Sequence, residues 1–327
     1  MKAMVLIEQG MSLEMVEIPD PIPTGHQVLL RILSCGVCRT DLHIIDGELE
    51  HPKKPLIPGH EIVGEVIGVG EKVELFSIGD RVGVPWLGEV CGHCNYCQSE
   101  RENLCNNARF TGYQLDGGFA EKTLADERYC FAIPEIYSNV HAAPLLCAGL
   151  VGYRAYQMAD KVKKLGIYGF GAAAHIITQI AVHEGKDIYA FTKPGDTSAQ
   201  AFAKQLGAIW AGSSTEMPPD LLDGALIFAP AGELVPLALK ATMKGATVVC
   251  AGIHMSAIPS MPYALLWGER VVRSIANLRR SDGIAFMKLA ARIPINVNSV
   301  IYSLDQANLA VDDLREGKIN GAAVLVP

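Results

Sequence analysis

The sequence predicts an α/β protein with two domains, and three features carry that expectation. The chain has 327 residues, which at roughly 100–200 residues per domain suffices for two. Up to about residue 148 short apolar runs are broken by Gly and Pro, the pattern of a mainly β region with frequent turns. From about residue 149 apolar strands alternate with amphipathic helices, as in a doubly wound parallel sheet covered on both faces.

In chain order, Val28–Leu33 and Ile62–Gly70 are the clearest β-prone runs of the first part. Asp20-Pro21-Ile22-Pro23 and Lys53-Lys54-Pro55-Leu56-Ile57-Pro58-Gly59 are extended or turning, because Pro fixes its own φ and restricts the residue before it. In the second part, strands are expected at 165–168, 187–191, 208–211, 225–228, 246–251 and 271–275. Helices over 173–183, 197–206 and 233–243 each stop near a glycine, Gly185, Gly207 and Gly245, which accepts the left-handed conformation that ends a helix. Six such strands match a complete Rossmann fold. Helices near 283–292 and 305–316 and a last strand at Val324-Leu325-Val326 follow. They can pair with either domain, and the pattern slightly favours a return to the first. The expected division is therefore 1–148 with 283–327, and 149–282 between them.

Composition narrows the function classes. Lys and Arg number 28 against 35 Asp and Glu, a net charge of −7, and no long basic run suggests nucleic acid as a partner. No stretch of 18 apolar residues is present to span a membrane. The N-terminus reaches Glu8 too early for a signal-peptide core, so a cytoplasmic protein is expected. Nine cysteines in a reducing compartment are not expected to pair as structural disulfides.

Four of the nine, Cys91, Cys94, Cys97 and Cys105, fall within a lobe of about residues 88–108. Three cysteines spaced by two residues, with a fourth nearby, can wrap a tetrahedral ion, and zinc favours four thiolates in closed structural sites. Gly92, Asn95 and Gln98-Ser99-Glu100 point to a loop rather than a helix face. Free thiols this dense would invite oxidation, and iron–sulfur runs use other spacings.

A second motif follows a strand and opens a helix. Gly169-Phe170-Gly171-Ala172-Ala173-Ala174 is a G-x-G-x-x-A loop in the context of dinucleotide binding. The first Gly turns tightly, the second admits a pyrophosphate, and the small third residue lets helix and strand pack. The acid that grips a ribose 2′-hydroxyl is expected about 20 residues on, but Thr192 stands there, with Lys193 next. Its absence favours NADP(H) over NAD(H), with NAD(H) still open.

The remaining candidates are scattered. Cys35 and Cys38 precede Thr40, Asp41 and His43; Gly59-His60-Glu61-Ile62-Val63-Gly64 is a second cluster, and Cys147 stands alone. In this order, and with the four-cysteine loop, the chain resembles the zinc-dependent medium-chain alcohol dehydrogenases along essentially its whole length. Two thiolates and an imidazole make the open catalytic zinc site known from alcohol dehydrogenase itself, so this ligand set is a likeness. The resemblance implies a GroES-like catalytic domain beside the Rossmann domain, with Cys38, His60 and Cys147 as catalytic zinc ligands. It implies that Asp41 orients His60, that Glu61 approaches the metal during ligand exchange, and that Thr40 and His43 relay the alcohol proton. It further implies Arg39 at the cofactor pyrophosphate, Trp86 in the substrate pocket, and assembly into a dimer or tetramer, with subunit contacts near Tyr263–Trp267. Cys35, Cys130 and Cys250 are left to packing. The expected reaction is reversible oxidation of a primary or secondary alcohol to an aldehyde or ketone. The alternatives are a polyol or amino-alcohol dehydrogenase of the same fold, a zinc-free quinone or enone reductase, and a non-catalytic zinc-stabilised binding protein.

Overall fold

The eleven-residue strand Gln27–Val37 organises the first unit. Val28, Leu30 and Ile32 are buried on one face while their neighbours are more exposed, and Ser34–Val37 is buried throughout, as alternation gives way where a strand enters a core. In this computed structural model, which describes residues 1–159, 162–319 and 321–327, the strand pairs antiparallel with Glu61–Val69 on one side. Lys122–Asp126 also pairs with it. Glu61–Val69 continues the sheet to Arg81–Val84 and then Phe131–Ala132.

The chain's last strand, Ala322–Val326, pairs antiparallel with the end of Gln27–Val37, setting Val324 opposite Gly36 and Leu325 opposite Cys35. Ser299–Ser303 lies parallel beside it. Residues 1–147 and 277–327 thus form one compact unit and residues 148–276 another. The core of the first gathers Val28, Leu30, Cys35, Ile44, Leu56, Ile62, Val66, Phe119, Ala323 and Leu325.

The second unit is a single six-stranded parallel sheet. With its strands numbered in chain order (Lys164–Tyr168, Asp187–Thr192, Trp210–Ser213, Leu222–Ile227, Thr242–Cys250, Val271–Ser274), the spatial order is 3-2-1-4-5-6. This is the Rossmann arrangement, whose order reverses at the carboxyl end of the first strand. The fifth strand begins at Thr242, four residues before the expected start, because Thr242 already pairs with Leu222 ahead of a register shift. Helix Ala148–Met158, which the sequence reading did not assign, packs on helix Ala172–His183 through Gly152. A Cβ at Gly152 would lie 2.6 Å from Ile177 Cγ1. Among the described residues no helix is long and apolar enough to cross a membrane.

Candidate metal centre and dinucleotide loop

The helix Arg39–Ile45 starts where Gln27–Val37 ends, and Cys38 is its N-cap. The Cys38 Sγ accepts from Thr40 N at 3.3 Å, and Asp41 Oδ2 accepts from Cys38 N at 2.9 Å. This is a capping box with sulfur in place of a hydroxyl. The helix start therefore aims Cys38 and buries Asp41 in one operation.

The other Asp41 oxygen faces away from the cap. Its Oδ1 accepts from His60 Nδ1 at 3.1 Å and from Gly59 N at 3.2 Å. A carboxylate only accepts, so Nδ1 carries a proton, and Nε2 is the nitrogen that can bind a metal once it is deprotonated. Nε2 lies 3.2 Å from Cys38 Sγ, and Cys38 Sγ lies 3.9 Å from Cys147 Sγ. The ligand atoms of Cys38, His60, Glu61 and Cys147 all fall within 4.8 Å of one another. His60 and Asp41 are fully buried and Glu61 nearly so, whereas Cys38 and Cys147 are only half-buried.

Burial sets the electrostatics. Hydrogen bonding with Cys147 holds the Cys38 thiol well below its ordinary range despite burial, helped by the His60 charge. Cys147, sharing that proton, is pushed up by Cys38 and by burial. Burial opposes a charge on His60, but the Cys38 thiolate and Asp41 outweigh it and raise the imidazole. Burial first, and then the Cys38 thiolate, push the Glu61 carboxyl up. Once Cys147 and His60 Nε2 give up their protons, two thiolates and the Asp41 carboxylate around a neutral imidazole leave an excess of negative charge that a dication would neutralise. A tetrahedral zinc with bonds of about 2.3 Å to sulfur and about 2.0–2.1 Å to nitrogen holds its ligand atoms about 3.5–3.8 Å apart. The spacings of 3.2 and 3.9 Å straddle that range, and the donor set suits the ion.

Glycines make room for this cluster. Gly36 faces Glu61 across the sheet, and a Cβ there would fall 1.9 Å from Glu61 Oε2. Gly36 is a residue the sequence reading missed; a glycine inside a strand run was the available signal. Trp86 sets its ring edge-on to His60 at 5.0 Å and stacks with Phe110 and Tyr113 at 5.2 and 5.6 Å. His43 lies one helical turn beyond Thr40, and its Nδ1 pairs with Glu48 Oε2. The Glu48 backbone N–H bonds the His43 carbonyl at 2.9 Å, which folds this second unforeseen partner back onto the helix end. Arg39 is exposed on the first turn.

The four-cysteine cluster stands apart from that centre. Its sulfurs are 3.5 Å apart for Cys94 and Cys97, 3.5 Å for Cys91 and Cys105, and 3.9 Å for Cys91 and Cys97. The strands Leu87–Glu89 and Arg109–Phe110 pair at the base of the lobe. Backbone N–H groups of His93 and Cys94 push the Cys91 thiol down to about 6, as a nest of amides stabilises an anion. The segment is not purely a loop, as the sequence suggested: Asn95–Gln98 makes one helical turn. Cys94 and Cys97 meet across it because residues three apart share a face.

In the second unit, Gly169 ends the first strand with φ of 85°, and a Cβ there would lie 2.7 Å from Ala229. Gly171 caps helix Ala172–His183 without a side-chain bond, and the space beside its Cα is open. Ala174 is fully buried. Thr192 is buried, its hydroxyl 3.2 Å from Lys193 O and accepting from Gln200 Nε2 at 3.1 Å. Lys193 is exposed, and Asp196 caps the next helix through Ala199 N at 3.0 Å. Cys35, Cys130 and Cys250 are buried, while Tyr263 and Trp267 are 72% and 60% exposed.

Known proteins resemble this chain in sequence and in fold. Residues 24–135 match the alcohol dehydrogenase GroES-like domain. A Mycobacterium tuberculosis protein named "Probable alcohol dehydrogenase AdhA" is 43% identical over 96% of this chain and 92% of its own. The chain belongs to the zinc-type medium-chain alcohol dehydrogenases. An alcohol dehydrogenase of Moraxella sp. is 34% identical over 99% of each chain. The crystal structure of an alcohol dehydrogenase from Aeropyrum pernix superposes with a TM-score of 0.89 at 26% identity, covering 100% of both chains. As a member of this family the enzyme interconverts an alcohol and its aldehyde or ketone with NAD(P). Family membership also argues against the non-catalytic alternative.

Proposed function

We propose that Cys38, His60 and Cys147 hold a catalytic zinc, that Cys91, Cys94, Cys97 and Cys105 hold a structural one, and that the substrates are primary or secondary alcohols. The carrying observation is the meeting of three ligand atoms from three distant segments, with Asp41 bonded behind His60. Two thiols and one imidazole leave a fourth tetrahedral position for water or substrate, whereas the four-cysteine set is complete in itself. When bound, zinc and nicotinamide supply Lewis acidity and a hydride acceptor.

The chain's own residues do the rest. Asp41 keeps the proton on His60 Nδ1 and so keeps Nε2 available as a ligand. Thr40 takes the alcohol proton and His43 carries it on toward solvent, with the exposed Glu48 carboxylate holding the His43 ring. Glu61 lies close enough to enter the ligand set during exchange. Trp86, packed against His60, walls the substrate pocket.

Gly169, Gly171 and Ala172–Ala174 receive the dinucleotide, and Arg39 offers its guanidinium to the pyrophosphate. NADP(H) is favoured over NAD(H) because no carboxylate occupies position 192, the Thr192 hydroxyl is spent on internal bonds, and Lys193 is free of burial. The exposed Tyr263 and Trp267 support assembly into a dimer or tetramer, and the acidic composition suits the cytoplasm.

Metal analysis of Cys38→Ser tests this. The variant is expected to lose turnover and one zinc per chain while keeping the second zinc, its fold and its cofactor binding. Wild-type turnover in Cys38→Ser, or in fully zinc-depleted enzyme, would refute it.

A further inference from the structure

His175 follows the G-x-G-x-x-A loop directly and belongs to no part of that motif. It sits in the first turn of helix Ala172–His183, and its Nε2 lies 3.0 Å from the Phe170 carbonyl oxygen. A carbonyl only accepts, so Nε2 carries the proton. The ring lies against Phe170, with centroids 5.1 Å apart, and meets Phe202 edge-on at 4.6 Å. Phe202 belongs to the next helix, Thr197–Gln205. Burial pushes the imidazole below its usual range, which keeps it neutral in this aromatic setting.

We propose that His175 is a positioning residue for the dinucleotide: it locks the Phe170–Gly171 peptide so that the Gly171 N–H is presented to the pyrophosphate. The inference rests on the dinucleotide reading of residues 169–174. In a trans peptide the C=O and the following N–H point in opposite directions, and among the described residues the one cis bond is Lys54–Pro55. Drawing the Phe170 carbonyl toward His175 therefore turns the Gly171 N–H the other way.

That outward side is open. A Cβ at Gly171 would meet nothing within 4 Å, whereas one at Gly169 would strike Ala229 at 2.7 Å. The helix has no side-chain cap, so its first N–H groups are left for a ligand. Without the His175 bond the peptide is free to rotate and set a carbonyl oxygen against the phosphates. The ring contacts also tie the loop to the helix that follows Thr192 and Lys193, so both ends of the adenosine diphosphate site share one support.

The test uses zinc-loaded enzyme and three probes: NADH, ADP-ribose, and adenosine, which lacks the pyrophosphate. His175→Phe keeps an aromatic ring and removes the donor, His175→Leu is a second donor-free variant should the first not fold, and His175→Gln returns an N–H at similar reach. Calorimetric titration is expected to show ADP-ribose and NADH bound about tenfold more weakly by the donor-free variants, about 1.4 kcal/mol. Adenosine affinity and kcat at saturating cofactor should stay within about twofold of wild type on the same scale, and His175→Gln should recover most of the loss. Wild-type ADP-ribose affinity in a folded donor-free variant, or an equal loss for adenosine, would overturn the positioning role. Failure of wild-type enzyme to bind both NADH and NADPH would instead overturn the dinucleotide reading of the loop, and this inference with it.

Discussion

Replacing Asp41 by Asn removes one charge and almost no volume, and it probes the catalytic centre from behind. Asp41 accepts three hydrogen bonds, from Cys38 N, His60 Nδ1 and Gly59 N, at 2.9, 3.1 and 3.2 Å. An amide has one accepting oxygen and one donating nitrogen. Whichever way the substituted side chain is turned, its NH₂ confronts a buried donor, either Cys38 N or the His60–Gly59 pair. A buried donor left unsatisfied costs about 1–3 kcal/mol. The same range follows from the roughly 10–100-fold in metal affinity that such supporting groups carry, or about 1.4–2.8 kcal/mol. Chelator competition at neutral pH should therefore show one zinc of Asp41→Asn released about 10–100-fold more readily than in wild type, on the order expected for a supporting group. The four-cysteine zinc should be unchanged. Equal retention of both ions by variant and wild type would refute the orienting role of Asp41.

Three further outcomes are expected. Cys97→Ser should lose the other zinc and destabilise residues 88–108, seen as lower zinc content and faster proteolysis there, since structural zinc contributes on the order of 10 kcal/mol to small domains. Gly36→Ala places a Cβ 1.9 Å from Glu61 Oε2 and should cost about 1–3 kcal/mol by overpacking, read as a lower melting temperature. Lys193→Glu should weaken NADPH binding about tenfold, as expected for losing a charge-assisted phosphate contact and adding repulsion. NADH binding should change little; an unaltered NADPH affinity would refute the role given to Lys193.

Some of this was legible from local order. A Cys-x-x-Cys-x-x-Cys run must bring its sulfurs together within a few residues, so the four-cysteine cluster shows in the chain itself. Alternating strands and helices closing on glycines sufficed for the second sheet, and the Gly169–Ala174 loop sits where a strand meets a helix. Boundaries were softer. The strand at Thr242 begins early because pairing with Leu222, not local propensity, decides its start. The helical turn at Asn95–Gln98 is too short to leave a periodic signal.

The open centre is different in kind. Cys38 and Cys147 are 109 residues apart, yet their sulfurs lie 3.9 Å apart, and only resemblance joined them in the sequence. Nothing local pairs Gly36 with Glu61, or makes His175 reach back to Phe170. The amino-acid order settled which residues lie within a turn of one another, because short-range geometry depends on spacing. Sheet pairing and burial decided which distant groups share a low-dielectric site, and with that their proton placement and the orientation of each donor.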